Sequence, residues 1–262
     1  MKATPARARS FDAWASDYDR YRPDYPDALF DQIAARLMLP TAPHVADLGA
    51  GTGRATLAMA ERGWHVTAVE PGRPMLDILR TRAADAGLLV ATVQAPAEQT
   101  GLGPSTVDLA TAAQAFHWFD APAALAEMAR VVRPGGGVAL FWNVRDVDAS
   151  RLLADYDALL GRFGVTADRH RAGPDPATGA AIRAAAAFGD PEFLQVRHMA
   201  TMSPQAFIGL AFTSSYVRVL DADDQDRLAD ELAALVEREA GAAATLEVPY
   251  ITDCWIAGRK DQ

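Results

Sequence analysis

Glycine alternates with small residues in Asp47-Leu-Gly-Ala-Gly-Thr-Gly53, and an acid, Glu70, follows about twenty residues later. Glycine reaches backbone angles closed to other residues and lets a ligand lie against the main chain. Three glycines in this rhythm exceed what a bare strand-to-helix turn requires. A dinucleotide fingerprint places its third glycine three residues after the second, where this chain has Arg54, too bulky for close helix–strand packing. A phosphate loop of the Gly-Lys-Ser/Thr kind is also absent. The pattern fits a loop that holds a nucleoside, with Glu70 closing the next strand and accepting from both ribose hydroxyls of an adenosyl group. Ala97-Glu98 adds a small residue and an acid suited to flank an adenine ring and hydrogen-bond to it.

Other reactive side chains gather further along. His117 and Trp118 are expected just beyond a strand's C-terminal end, where open α/β sheets bind ligands. His117 is a candidate general base, and it serves equally well as a histidine that holds a ligand or a loop by hydrogen bonds. Trp142 and Asn143 are expected to end the following strand and face a second molecule, with core packing the alternative for Trp142. Tyr216 falls on an expected cap helix from which it could reach in from above. Tyr18, Tyr21 and Tyr25 form an aromatic cluster that is either a hydrophobic clasp or part of the chemistry. One cysteine, Cys254, leaves no internal disulfide and no cysteine zinc cluster, and no metal is expected.

These side chains need a scaffold, and the apolar pattern supplies it. Buried parallel strands are expected at His44–Gly49, Trp64–Glu70, Val107–Ala113 and Gly137–Trp142, with a weaker one at Leu88–Gln94. Helical patterns fall between them, at Thr56–Arg62, Pro74–Ala86 and Pro122–Val132. A helix over Asp27–Met38 precedes the first strand. Strand and helix alternating at this spacing predict an α/β fold, a doubly wound parallel sheet with helices on both faces. Beyond Asn143 the expected order is a helix over Ser150–Phe163, a loop over Ala172–Gly179, and a strand over Phe193–Met202. Helices over Ser203–Val219 and Asp223–Ala244 follow, and then a final strand, Leu246–Ala257.

The 262 residues suit one domain, and half of them are hydrophobic, enough to bury a sizeable core. The net charge of −9 opposes nucleic-acid binding, which needs a basic surface. No apolar run approaches the roughly 20 residues that cross a bilayer, and the start lacks a secretory apolar stretch. The expectation is a cytoplasmic protein, monomer or homodimer, with a small-molecule substrate and neither nucleic acid nor membrane as partner.

Taken together, Val45–Arg54, Glu70-Pro-Gly-Arg-Pro-Met-Leu76, Asp108-Leu-Ala-Thr-Ala and Leu125–Gly137 resemble the class I S-adenosylmethionine-dependent methyltransferases. The resemblance covers about Phe11 to Asn143. Tyr18–Pro26, Ala113-Gln-Ala-Phe-His-Trp-Phe119, Ser214-Ser-Tyr216 and Pro249–Asp253 are similar to a small-molecule subgroup containing trans-aconitate-methyltransferase-like proteins. It implies a Rossmann-like seven-stranded, mostly parallel sheet whose last strand runs antiparallel. The single domain would comprise an N-terminal lid at 11–40, a cofactor core at 41–143, a helical cap at 144–245 and the last strand at 246–260.

The cofactor implied is S-adenosyl-L-methionine. Gly49, Ala50 and Gly51 would face its methionine part, with Asp47 orienting the loop. Glu70 and Pro71 would lie at the ribose, Met75 and Ala97 at the adenine, Glu98 near the adenine amino group, and Gln114 near the methionyl amino group. Tyr18 and Arg22 would come from the lid, Arg22 pairing with the methionyl carboxylate. Tyr18 and His117 are the catalytic candidates, and Trp118, Trp142, Asn143 and Tyr216 the substrate-side ones. The expected reaction is methyl transfer to a small molecule. Two alternatives stand beside it: cyclisation or aminocarboxypropyl transfer releasing methylthioadenosine, and a non-catalytic cofactor-binding regulator.

Overall fold

Short runs such as Val45-Ala-Asp-Leu48 cannot satisfy their backbone alone, and burial on both faces makes parallel pairing the stable solution. A computed structural model of the chain describes residues 22–165, 172–214, 217–241 and 243–261. Its strands are β1 (His44–Leu48), β2 (His65–Val69), β3 (Ala91–Val93), β4 (Val107–Ala113), β5 (Val132–Arg145), β6 (Glu192–Met202) and β7 (Leu246–Gly258). They form one seven-stranded sheet in the order β3-β2-β1-β4-β5-β7-β6. The first five pair in parallel, and β7 runs antiparallel to both β5 and β6. Strand order reverses between β1 and β4, and that reversal opens a crevice at the strands' C-terminal ends.

The helices are α1 (Asp27–Arg36), α2 (Arg54–Glu61), α3 (Arg73–Asp85), α4 (Ala121–Val131), α5 (Arg151–Arg162), α6 (Pro176–Ala184), α7 (Pro204–Phe212) and α8 (Ala222–Ala240). Side-chain caps start five of them: Asp120, Ser150, Asp175, Ser203 and Asp221 each accept from a backbone N–H of the first turn. One core on one sheet face joins Leu48, Ala110, Leu140 and Trp255 to α4 and α6 through Leu125, Met128 and Ile182. On the other face, Val45, Phe141 and Cys254 pack with Phe30 and Ile33 of α1 and Met59 of α2. A third core unites α5, α7 and α8 through Leu153, Phe207 and Leu232, and it reaches the sheet at Val248 and Tyr250.

Several expected boundaries move. β5 begins at Val132 and runs on to Arg145, so Trp142 and Asn143 lie inside the strand and do not end it. Pairing with β7 continues through Arg145↔Tyr250 and keeps the chain extended. The segment expected as loop at 172–179 turns helical at Pro176, because Asp175 accepts from the Ala177 and Thr178 N–H groups and Pro176 is pre-set for a first turn. The helix expected to reach Val219 stops at Phe212, where the Thr213 hydroxyl donates to the Leu210 carbonyl and competes with the helical ladder. The span 144–245 is not wholly cap, since β6 within it is an edge strand of the sheet.

Candidate functional site

The glycine loop links β1 to α2 at the crevice. Gly49, Gly51 and Gly53 all take positive φ, at 67°, 57° and 91°. They do different work. A Cβ on Gly49 would sit 2.7 Å from the Ala115 Cβ, whereas a Cβ on Gly51 would meet no atom within 4 Å. Close packing therefore demands Gly49, while Gly51 faces open space in the crevice. The Gly49 and Ala50 N–H groups donate to the Val69 carbonyl at 2.8 and 3.2 Å, which pins the loop to the end of β2.

Glu70 completes that junction. Its Oε2 accepts from the Gly51 N–H at 3.0 Å and its Oε1 from the Gly72 N–H at 2.8 Å. These two backbone donors fix the plane of the carboxylate against the loop. Asp47, expected to orient the loop, lies off the cavity wall. It is fully buried and accepts from the Thr56 hydroxyl at 2.6 Å and the Thr111 hydroxyl at 2.8 Å. Burial pushes its pKa up to about 6, against the opposing pull of those two hydroxyls. Asp47 therefore ties β1 to α2 and β4 and reaches a ligand only through the loop it steadies.

Around this junction opens a cavity of about 1190 Å³. That exceeds the roughly 300–1,000 Å³ of a usual small-molecule site and leaves space for two ligands side by side. Its wall includes Arg22, Gly49, Ala50, Gly51, Glu70, Pro71, Met75, Ala97, Glu98, Gln114, His117, Trp118 and Asn143. These expected residues are thus brought together from eight separate places in the chain. Tyr18, Tyr21 and Tyr216 lie outside the described residues.

Several walls are held by bonds that sequence reasoning did not anticipate. Glu98 accepts from the Asp120 N–H at 2.8 Å and so also braces the start of α4. Gln114 sits at φ 54°, sparsely populated for a residue with a side chain, and its Nε2 donates to the Asn143 carbonyl at 2.9 Å. The Asn143 side chain is a tie: its Nδ2 donates to the Asp24 carbonyl at 3.1 Å, and its Oδ1 accepts from the Thr252 hydroxyl at 2.6 Å. Trp142 is a correction. It is absent from the cavity wall, its ring packs against the core beside β5, and its Nε1 donates to His117 Nδ1 at 3.3 Å.

Further lining residues come largely from segments without a readable motif. Arg145, Tyr156, Leu160, Arg197, Leu210 and Tyr250 are among them. Arg145 lies over the Tyr156 ring at 4.9 Å, and Arg197 pairs with Asp146 at 3.4 Å. Asp253, behind them, accepts from Gly173 N–H and Gln195 Nε2, and burial raises its pKa. Tyr250, within Pro249–Asp253, is brought here by long-range strand pairing with Arg145, which leaves no local pattern.

The chamber brings together open space over Gly51, a fixed carboxylate at Glu70, and apolar faces at Met75 and Ala97. A methyltransferase domain family matches residues 46–140. An uncharacterised methyltransferase of Mycobacterium tuberculosis is 34% identical over 248 residues, covering 94% of this chain and 93% of its own length. A malonyl-[acyl-carrier protein] O-methyltransferase of Serratia marcescens is 36% identical over 141 residues, covering 52% of this chain and 51% of its own. The solved structure of a protein assigned as a type II methyltransferase from Anaeromyxobacter dehalogenans superposes with a TM-score of 0.66 at 30% identity, covering 91% of this chain and 98% of that one.

Proposed function

Because the chain belongs to the class I S-adenosylmethionine-dependent methyltransferases, we propose that it methylates a small molecule bound in the same cavity. The observation that carries this is one chamber of about 1190 Å³, roomier than a usual single-ligand site, whose wall joins the glycine loop and Glu70 to Arg145, Tyr156 and Tyr250. The narrower resemblance to trans-aconitate-methyltransferase-like proteins supports a metabolite in preference to a macromolecule, and so does the acidic charge of −9.

In this reading the chain's own groups bind and align. Glu70, its carboxylate oriented by the Gly51 and Gly72 N–H groups, accepts from the ribose hydroxyls. Met75 and Ala97 flank the adenine, and Glu98 lies near its amino group. Gln114 presents its carbonyl oxygen to the methionyl amino group, since its amide nitrogen is engaged by Asn143. Arg22 meets the methionyl carboxylate as a planar guanidinium fork. The bound cofactor supplies an activated methyl group on a sulfur that is already a good leaving group. Little remains for the protein beyond alignment and the exclusion of water. The lid residues Pro23 and Tyr25 wall the site, and Tyr25 is held edge-on to Phe141 at 4.9 Å between centroids. His117 and Trp118 stand where both ligands meet and touch the acceptor.

The test is incubation of the protein with methyl-labelled cofactor and a metabolite extract, followed by mass spectrometry. Label in one small molecule together with S-adenosylhomocysteine is the expected result. Methylthioadenosine as the product, or label only in protein or nucleic acid, would overturn it.

A further inference from the structure

The hydrogen bond from Trp142 to His117 decides which way His117 can act. An indole Nε1 has only a proton to give, so the ring nitrogen that receives it carries none. At 3.3 Å that receiver is His117 Nδ1. A neutral imidazole bears one proton, which must then sit on Nε2. We infer that Trp142 is a positioning residue that fixes His117 as an Nε2–H donor, so that His117 orients the acceptor and does not take its proton.

Both partners are held in place. Trp142 lies mid-strand in β5, between β4 and β7, and its ring is packed against the core. His117 rides on the tight 3-10 turn Phe116–Trp118, closed by the Trp118 N–H on the Ala115 carbonyl at 2.9 Å, and its ring lies 4.9 Å from that of Trp118. The turn sets where the His117 backbone stands, and the bond from the packed indole sets which way its exposed ring faces. Base chemistry at Nε2 is closed by the proton already there, and base chemistry at Nδ1 is opposed by the indole. The acceptor therefore arrives with its reacting lone pair available, and His117 contributes a directed N–H.

The consequence for the acceptor rests on the transferase reading above, but the tautomer does not, and it can be measured without cofactor or acceptor. Nitrogen-15 spectra of the histidine rings, with His117 assigned by its loss in His117→Asn, should show Nδ1 as unprotonated and Nε2 as the N–H. Exchange of the Trp142 indole proton with solvent should accelerate at least tenfold in His117→Ala. Trp142→Phe should let the Nδ1–H form appear. A protonated Nδ1 in the unmodified protein would overturn the inference, as would an indole exchange rate unchanged by His117→Ala. Those two readouts stand even if Trp142→Phe fails to fold. Failure of methyl transfer with the tautomer intact would count against the function alone.

Discussion

At the scale of single residues, two carboxylates carry the site in different ways. Glu70 touches the ligand space and the loop at once, so its loss removes ligand acceptors and frees the Gly51 and Gly72 N–H groups together. Glu70→Ala should weaken S-adenosylmethionine binding by about 1–3 kcal/mol, roughly 5- to 150-fold, read by calorimetry; unchanged affinity would remove Glu70 from the site. Asp47 acts from inside. Its folded pKa of about 6 stands above its ordinary 3.8, so the folded chain binds a proton more tightly than the unfolded one. Its contribution to stability is fully present below about pH 4 and is lost as pH rises through about 6, a change of about 3 kcal/mol. Asp47→Asn should flatten the stability curve over that window in urea titrations, and a curve that keeps its slope would show that Asp47 is not the titrating group. Asp47 was legible as a loop-orienting acid from its place before Gly49. That its partners would be Thr56 and Thr111 was not, because Thr111 arrives through a strand 64 positions away.

At the scale of elements, the strand–helix alternation up to Trp142 could be read from apolar runs because each buried parallel strand is nearly all apolar. The misreadings share a cause. β5 is prolonged past Trp142 by pairing with β7, and α6 is started by one cap residue, and neither leaves a periodic signal in the segment itself. Glu127 on α4 shows how side chains fasten elements. It accepts from the Thr100 N–H at 2.8 Å and from the Thr100 hydroxyl at 2.5 Å, and it pairs with Arg130 at 2.7 Å. Arg130 in turn donates to the Leu102 carbonyl, so the β3–β4 connection is held to α4. The Arg130 guanidinium and the Thr100 donors lower the Glu127 pKa to about 2 from 4.5. That stability is present above about pH 4.5 and is lost as pH falls toward 2, the opposite sense to Asp47. Glu127→Gln should destabilise the chain at pH 7 by about 1–3 kcal/mol in chemical denaturation, part of the charge effect being screened at the exposed Arg130. No loss at pH 7 would mean that the fastening is made elsewhere.

At the scale of the molecule, the cavity lies where the sheet's C-terminal ends meet the segment before α1 and residues of α5, β6 and β7. The attachment of the segment before α1 is local and testable. Asn143 holds the Asp24 carbonyl, Arg54 pairs with Asp24, and Arg62 pairs with Asp27 and Asp31. Asn143→Ala should raise the rate of limited proteolysis ahead of α1 several-fold, and saturating cofactor should restore part of the protection; equal cleavage rates would show that Asn143 does not secure that segment. The part of the chamber around the glycine loop and Glu70 was largely readable, because glycines and acids at set spacings have few structural reasons to be there. The part lined by Arg145, Tyr156 and Tyr250 was not, because these resemble any packed or surface residues until the fold brings them together.

The central claim is that the crevice between Gly51 and Glu70 is the adenosyl site, and a crystal structure with S-adenosylhomocysteine tests it most directly. The ribose hydroxyls should lie within hydrogen-bond distance of the Glu70 carboxylate, with the ligand chain against the open face of Gly51. Density for the ligand elsewhere on the molecule, with that crevice closed by protein, would contradict it.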